Sequence, residues 1–154
     1  MLEERKIFLR DGRFGDEKYR PKFGYNDNVF RRSVELKEDL LKNNPDKLHG
    51  GVFLTQDSAD GKWKLADEGE VPAHPMVDEQ VQYDNTLDAY GGVTVLQGSV
   101  PHYTKHFEGT PSKGDGLKCV GGKLVVMEDT DPEEIRVGTV SAASGSIIEF
   151  ITKY

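Results

Sequence analysis

The sequence predicts an all-β protein, a small β-barrel or sandwich with an extended N-terminal arm and one short helix. Three observations carry that prediction. The apolar runs after residue 49 are short and rich in Val, Ile, Phe and Leu, single or paired glycines divide them, and several alternate with polar residues at the two-residue period of a half-buried strand.

The arm comes first. Residues 1–48 carry 12 Lys and Arg against 10 Asp and Glu, net +2, while residues 49–154 carry 8 against 17, net −9, together the −7 of the whole chain. We therefore divide the chain into an N-terminal arm, 1–48, and a β domain, 49–154. Within the arm, Phe8, Phe14, Tyr19, Phe23, Tyr25 and Phe30 are interleaved with Arg10, Arg13, Lys18, Arg20, Lys22, Arg31 and Arg32. The apolar positions follow no sustained period, and glycines, Pro21 and Asn26-Asp27-Asn28 punctuate them, so this stretch cannot build its own core. Its aromatic content is too high for a purely solvated tail. An arm that orders against a partner surface satisfies both facts, and aromatic residues and arginine are the residue types that most often anchor interfaces. The partner contacts expected are Phe8, Arg10, Phe14, Tyr19, Phe23, Tyr25 and Phe30. An arm that wraps its own domain, or reaches into a neighbouring copy, would use the same residues.

A helix is predicted over 33–43. Ser33 can cap it, Val34, Leu36, Leu40 and Leu41 form an apolar stripe, Glu35 and Glu38 lie near its N-terminal end, and Asn43-Asn44-Pro45 stops it. At about three turns it is marginal alone and must pack on something. The β domain opens with a hairpin, Val52-Phe53-Leu54-Thr55 returning as Lys62-Trp63-Lys64-Leu65-Ala66 through Asp57-Ser58-Ala59-Asp60-Gly61, with Trp63 and Leu65 on one face and the lysines on the other. The prolines of Val71–Val77 hold that segment extended, as an edge strand or a crossing loop. Gly91–Val100 reads as a central strand. Two hairpins close the chain. In the first, Gly116-Leu117-Lys118-Cys119-Val120 turns at Gly121-Gly122 into Lys123-Leu124-Val125-Val126-Met127; in the second, Ile135–Val140 turns through Ser141–Ser146 into Ile147–Thr152. Six to eight short strands after residue 49 suit a small barrel or sandwich of tulip-like form.

Composition excludes several classes of function. A net charge of −7 and a pI near 5.1 disfavour general nucleic-acid affinity, which needs a basic face. Met1–Lys6 is charged and Ile7-Phe8-Leu9 is too short for a signal-peptide core, and no stretch reaches transmembrane length. The single cysteine, Cys119, lies in a strand and reads as a small buried apolar residue. His102 and His106, four apart, do not converge on a strand as they would on a helix, and His49 and His74 stand alone. The acidic run Glu128–Glu134 lacks the spacing of a calcium-binding loop and reads as a solvated connection. No nucleophile elbow or phosphate loop is present. The expectation is a non-enzyme with no cofactor and no resident metal.

The order of the strand and glycine segments from 50 to 154 resembles the decoration, or cement, proteins of tailed-bacteriophage virions. The segments that carry the resemblance are Gly-Val-Phe-Leu-Thr with Gly-Lys-Trp-Lys-Leu, Gly-Gly-Val-Thr-Val-Leu-Gln-Gly, Tyr103–Phe107, Gly-Asp-Gly-Leu-Lys-Cys-Val-Gly-Gly-Lys-Leu, and Ile-Arg-Val-Gly-Thr-Val with Ile-Ile-Glu-Phe-Ile. The resemblance implies a structural protein made in the host cytoplasm and located on the capsid surface of the virion. It would bind as a homotrimer and clamp adjacent major capsid subunits, without contact with nucleic acid or membrane. Another β-rich virion component, a carbohydrate- or protein-binding β module, and a small hydrolase using His102, His106 and Asp115 are the alternatives.

Overall fold

A computed structural model describes residues 19–21, 30–43, 47–77 and 92–154. In chain order the strands are β1 (Tyr19–Pro21), β2 (Phe30–Glu35), β3 (Phe53–Gln56), β4 (Trp63–Leu65), β5 (His74–Pro75), β6 (Gly92–Gln97), β7 (Pro101–Thr104), β8 (Phe107–Glu108), β9 (Gly116–Val120), β10 (Lys123–Val126), β11 (Gly138–Ser144) and β12 (Ile147–Thr152). The helix α1 (Glu38–Asn43) follows β2, and a 3-10 turn, Glu133–Ile135, precedes β11. The protein is all-β, as its sequence predicts. The strands form separate sheets packed in layers and do not close into a barrel: a seven-stranded sheet in the order β1-β7-β12-β11-β9-β10-β8, a three-stranded sheet β4-β3-β5, and the pair β2-β6.

Strand β3 organises the interior because neighbouring residues of a strand face opposite sides. Leu54 points into a core with Val34, Leu36, Leu40, Leu48, Val52, Trp63, Met76, Val93 and Val95. Phe53 points into a second core with Ala66, Ala73, Leu117, Cys119, Leu124, Val137, Val140, Ile148 and Phe150. The first core lies between the two small sheets, which are stitched together by the bridges Leu36↔Trp63 and Met76↔Val95. The second lies between β3 and the large sheet.

The three predicted hairpins form: β3 with β4, β9 with β10, and β11 with β12. At the β9–β10 turn Gly121 and Gly122 have φ of 57° and 83°, the left-handed pair that a two-residue turn requires. Gly122 also sits against the small sheet. Its N–H donates to the Ala66 carbonyl and its carbonyl accepts from the Phe53 N–H, each at 2.8 Å, and a Cβ there would lie 2.6 Å from Val52 Cγ2. The turn thus joins the large sheet to the small one. In the last hairpin β11 runs on to Ser144, past the expected turn at Ser141, because a bulge between Val140 and Ala142 absorbs one residue. The Ser141 hydroxyl donates to Glu149 Oε1 at 2.9 Å.

The N-terminal segment departs from expectation in a different way. Residues 33–35, predicted as the first turn of the helix, are strand: Ser33 pairs with Thr94 and Val34 with Val93, and the helix is reduced to Glu38–Asn43. Val34 and Leu36 are buried two residues apart, which suits a strand as well as the start of a helical stripe, and a ladder along β6 outweighs a short helix that is marginal by itself. Strand β1 pairs with β7, Tyr19 opposite Thr104. The expected central strand, β6, pairs with β2 on one side; on the other it makes the Met76↔Val95 bridge, and its Thr94 carbonyl accepts from the Val77 N–H at 3.0 Å. The Val71–Val77 segment supplies β5, at the edge of the three-stranded sheet.

Candidate functional site

Strand β2 combines two surfaces in six residues. Phe30, Arg31, Arg32, Ser33 and Glu35 are exposed while Val34 is buried, so the strand lies outside the core over its first four residues. This follows from its neighbours. Strand β6 backs it along its whole length, but among the described residues its outer rim meets another strand only at the far end, where Leu36 bridges Trp63 and the Lys37 N–H donates to the Trp63 carbonyl at 2.9 Å.

The C-terminal end of β2 is firmly tied. The Lys37 ammonium lies 2.6 Å from Asp57 and 3.5 Å from Asp60, and Lys62 lies 3.6 Å from Glu35. The hydrogen bond between Lys37 and Asp57 raises the lysine and lowers the carboxyl from their ordinary pKa values. The Arg32 guanidinium stands 5.5 Å from the centre of the Trp63 ring, a cation–π contact. At the other end Phe30 is 61% exposed, the highest value among the exposed large hydrophobic residues described. Charges on an open strand edge can serve to discourage unwanted pairing. An exposed phenyl ring beside them does the opposite, and a ring followed by two arginines at an exposed strand end is the composition of an interface anchor.

Of the seven contact residues expected from sequence, Phe8, Arg10, Phe14, Phe23 and Tyr25 lie outside the described residues. Tyr19 begins β1 at the edge of the large sheet, and Phe30 begins β2. Sequence reasoning did not single out Arg31 and Arg32 as contacts. The signal that could have found them is the apolar–polar switch at Val34, which marks where the strand leaves the core.

The residues considered for chemistry are dispersed. His102 is buried and stacked on Phe150, ring centres 5.2 Å apart, and burial pushes its imidazole down to about 3. His106 instead faces His49, at 4.1 Å. His74 is buried beside Trp63, and burial lowers it. Asp115 accepts from the Ser112 N–H at 2.8 Å and so fixes its own turn. Cys119 is buried, which raises its thiol. The acidic run is not merely solvated. Asp131 accepts from the Glu128 N–H and from Lys118 Nζ, both at 2.8 Å, and Lys118 also reaches Glu68 at 2.9 Å, which fastens two loops to β9 and raises the lysine while lowering Asp131.

A polar cleft of about 220 Å³ is lined by Thr55, Gln56, Asp57, Lys64 and Glu70 among others, but its charges are already matched, Lys64 with Glu70 and Asp57 with Lys37. Of the rings that could serve as sugar platforms, Trp63 and Tyr103 are buried and Phe107 is half-buried, while Tyr83 and Tyr90 lie outside the described residues.

Comparison with known proteins finds no matching family model and no matching curated protein. The exposed end of β2 is thus the surface on which a functional reading has to be built.

Proposed function

We propose that this protein is a non-enzymatic structural component of a tailed-phage virion that binds the outer capsid surface and clamps adjacent major capsid subunits, with the N-terminal segment as its gripping element. The observation that carries the reading is the division of β2, whose buried end fixes it in the small-sheet core while Phe30, Arg31 and Arg32 are exposed. A clamp needs both properties. A contact element anchored in its own domain loses less entropy on docking than a loose tail, and several such contacts on neighbouring subunits raise one another's effective concentration. The strand and glycine order of residues 50–154 supports the same reading, as does an acidic body joined to a more basic N-terminal segment.

The test is co-sedimentation of the purified full chain with capsids of its phage that lack it, followed by heating. Saturable binding with raised heat resistance of the shells is expected. Failure to co-sediment, with the protein folded in solution, would overturn the capsid reading. A chain beginning at Leu48 is unsuited to this test, because it would strip Val34, Leu36 and Leu40 from the core.

A further inference from the structure

Lys37, Lys62, Lys64, Lys118, Lys123 and Arg136 each lie within 3.6 Å of a carboxylate. Arg32 does not, although residues 49–154 carry a net −9. It is exposed, and among the described residues its side chain meets neither a carboxylate nor a hydrogen-bond acceptor. Its neighbours are instead the Trp63 ring, 5.5 Å from the guanidinium carbon, and His74, which burial lowers and the Arg32 charge lowers further.

The strand pattern puts a second anchor beside it. Phe30 and Arg32 are two apart on β2 and so share a face with Val34, which enters the first core with Trp63. On β6, Gln97 lies opposite Phe30 and Val95 opposite Arg32, on that same face. Gln97 is half-buried, its Nε2 3.4 Å from His74 Nε2. The row thus offers an exposed phenyl ring and a guanidinium held over an indole, with its N–H donors unused. A guanidinium takes a carboxylate through two parallel hydrogen bonds, and contact with an aromatic face holds it in place without occupying those donors.

We propose that Arg32 is the specificity-determining residue of the β2 surface and receives a carboxylate from a segment of the capsid subunit, an apolar side chain of the same segment packing on Phe30. The proposal rests on the capsid reading and names the chemistry of the partner. The chain's own surplus of acid leaves this guanidinium unpaired, so its charge is available to a partner. A phosphate would fit the same fork, but a body of net charge −7 repels a nucleic acid along its whole length, whereas a single carboxylate beside an apolar contact is met locally.

The test is co-sedimentation of the full chain with capsids that lack it, for the wild type, Arg32→Gln, Arg32→Lys and, as a control for charge alone, Lys113→Gln at an exposed turn. Melting curves first establish that all are folded. Arg32→Gln should weaken binding at least about tenfold, and Arg32→Lys should weaken it comparably, because lysine keeps the charge and loses the fork. Lys113→Gln should bind as the wild type does. Capsids whose exposed carboxylates have been converted to amides with carbodiimide and glycinamide, and which remain intact by electron microscopy, should no longer bind the wild type. A wild type that fails to bind untreated capsids overturns the capsid reading and the proposal with it. If the wild type binds, the proposal alone is overturned by undiminished binding of Arg32→Gln, by full binding of Arg32→Lys, by full binding to the amidated capsids, or by DNA binding at physiological salt that Arg32→Gln abolishes.

Discussion

The large sheet and the β2–β6 pair are built from similar residues by different means. In the large sheet β9–β10 and β11–β12 are neighbours in sequence, joined at Gly121-Gly122 and at Gly145, and turn geometry fixes their pairing. Strand β2 instead pairs with β6 across a long stretch of chain, and no turn residue announces it. Its register rests on matching burial, Val34 opposite Val93, and on the Leu36–Trp63 bridge. Short-range pairing can therefore be read from punctuation. Long-range pairing depends on which apolar side chains find a common core.

Breaking each core tests whether the two regions are equally structural. Phe150 is fully buried in the second core, and Phe150→Ala should cost about 3–5 kcal/mol in denaturant unfolding. Leu36→Ala should cost about 2–5 kcal/mol, because Leu36, directly after β2, is fully buried in the first core. A loss below about 0.5 kcal/mol, the range of ordinary surface changes, would mean that β2 is not docked.

Acid separates the regions further. His102 lies on the large sheet and is held neutral, its folded pKa depressed to about 3 from an ordinary value of 6.5. Folding therefore excludes a proton that the unfolded chain binds. The stabilisation is fully present above pH 6.5 and declines by about 1.4 kcal/mol per pH unit as the pH falls from 6.5 toward 3. Unfolding midpoints from pH 7 to pH 5 should show this slope, and His102→Gln should reduce it; an unchanged slope in that variant would place the proton elsewhere. Smaller again is Gly122→Ala, where a positive φ and the approach to Val52 predict a loss of about 1–3 kcal/mol.

The sequence made the all-β class, the three hairpins and the edge segment at Val71–Val77 legible because each rests on local signals: glycine turns, alternation and proline. It misplaced the helix, because Val34, Leu36 and Leu40 fit a helical stripe until β6 is present to pair with Val34 and Trp63 to bridge Leu36. The short β8 is not legible either. Its two residues become a strand only through parallel pairing with β10. Of the site, the exposed ring of Phe30 was expected from composition, whereas the contact of Arg32 with Trp63 arises from the fold alone, with no spacing to signal it.

The smallest expected effect on stability falls on the surface with the largest expected role. Phe30→Ser and Arg31→Glu replace exposed residues of β2 and should change unfolding free energy by no more than about 0.5 kcal/mol. The most direct test of the account is capsid co-sedimentation of this double variant beside the wild type, with equal melting temperatures established first. Loss of binding by the folded variant, with wild-type binding intact, is the predicted result. Undiminished binding by the variant would contradict the claim that the exposed end of β2 is the gripping surface.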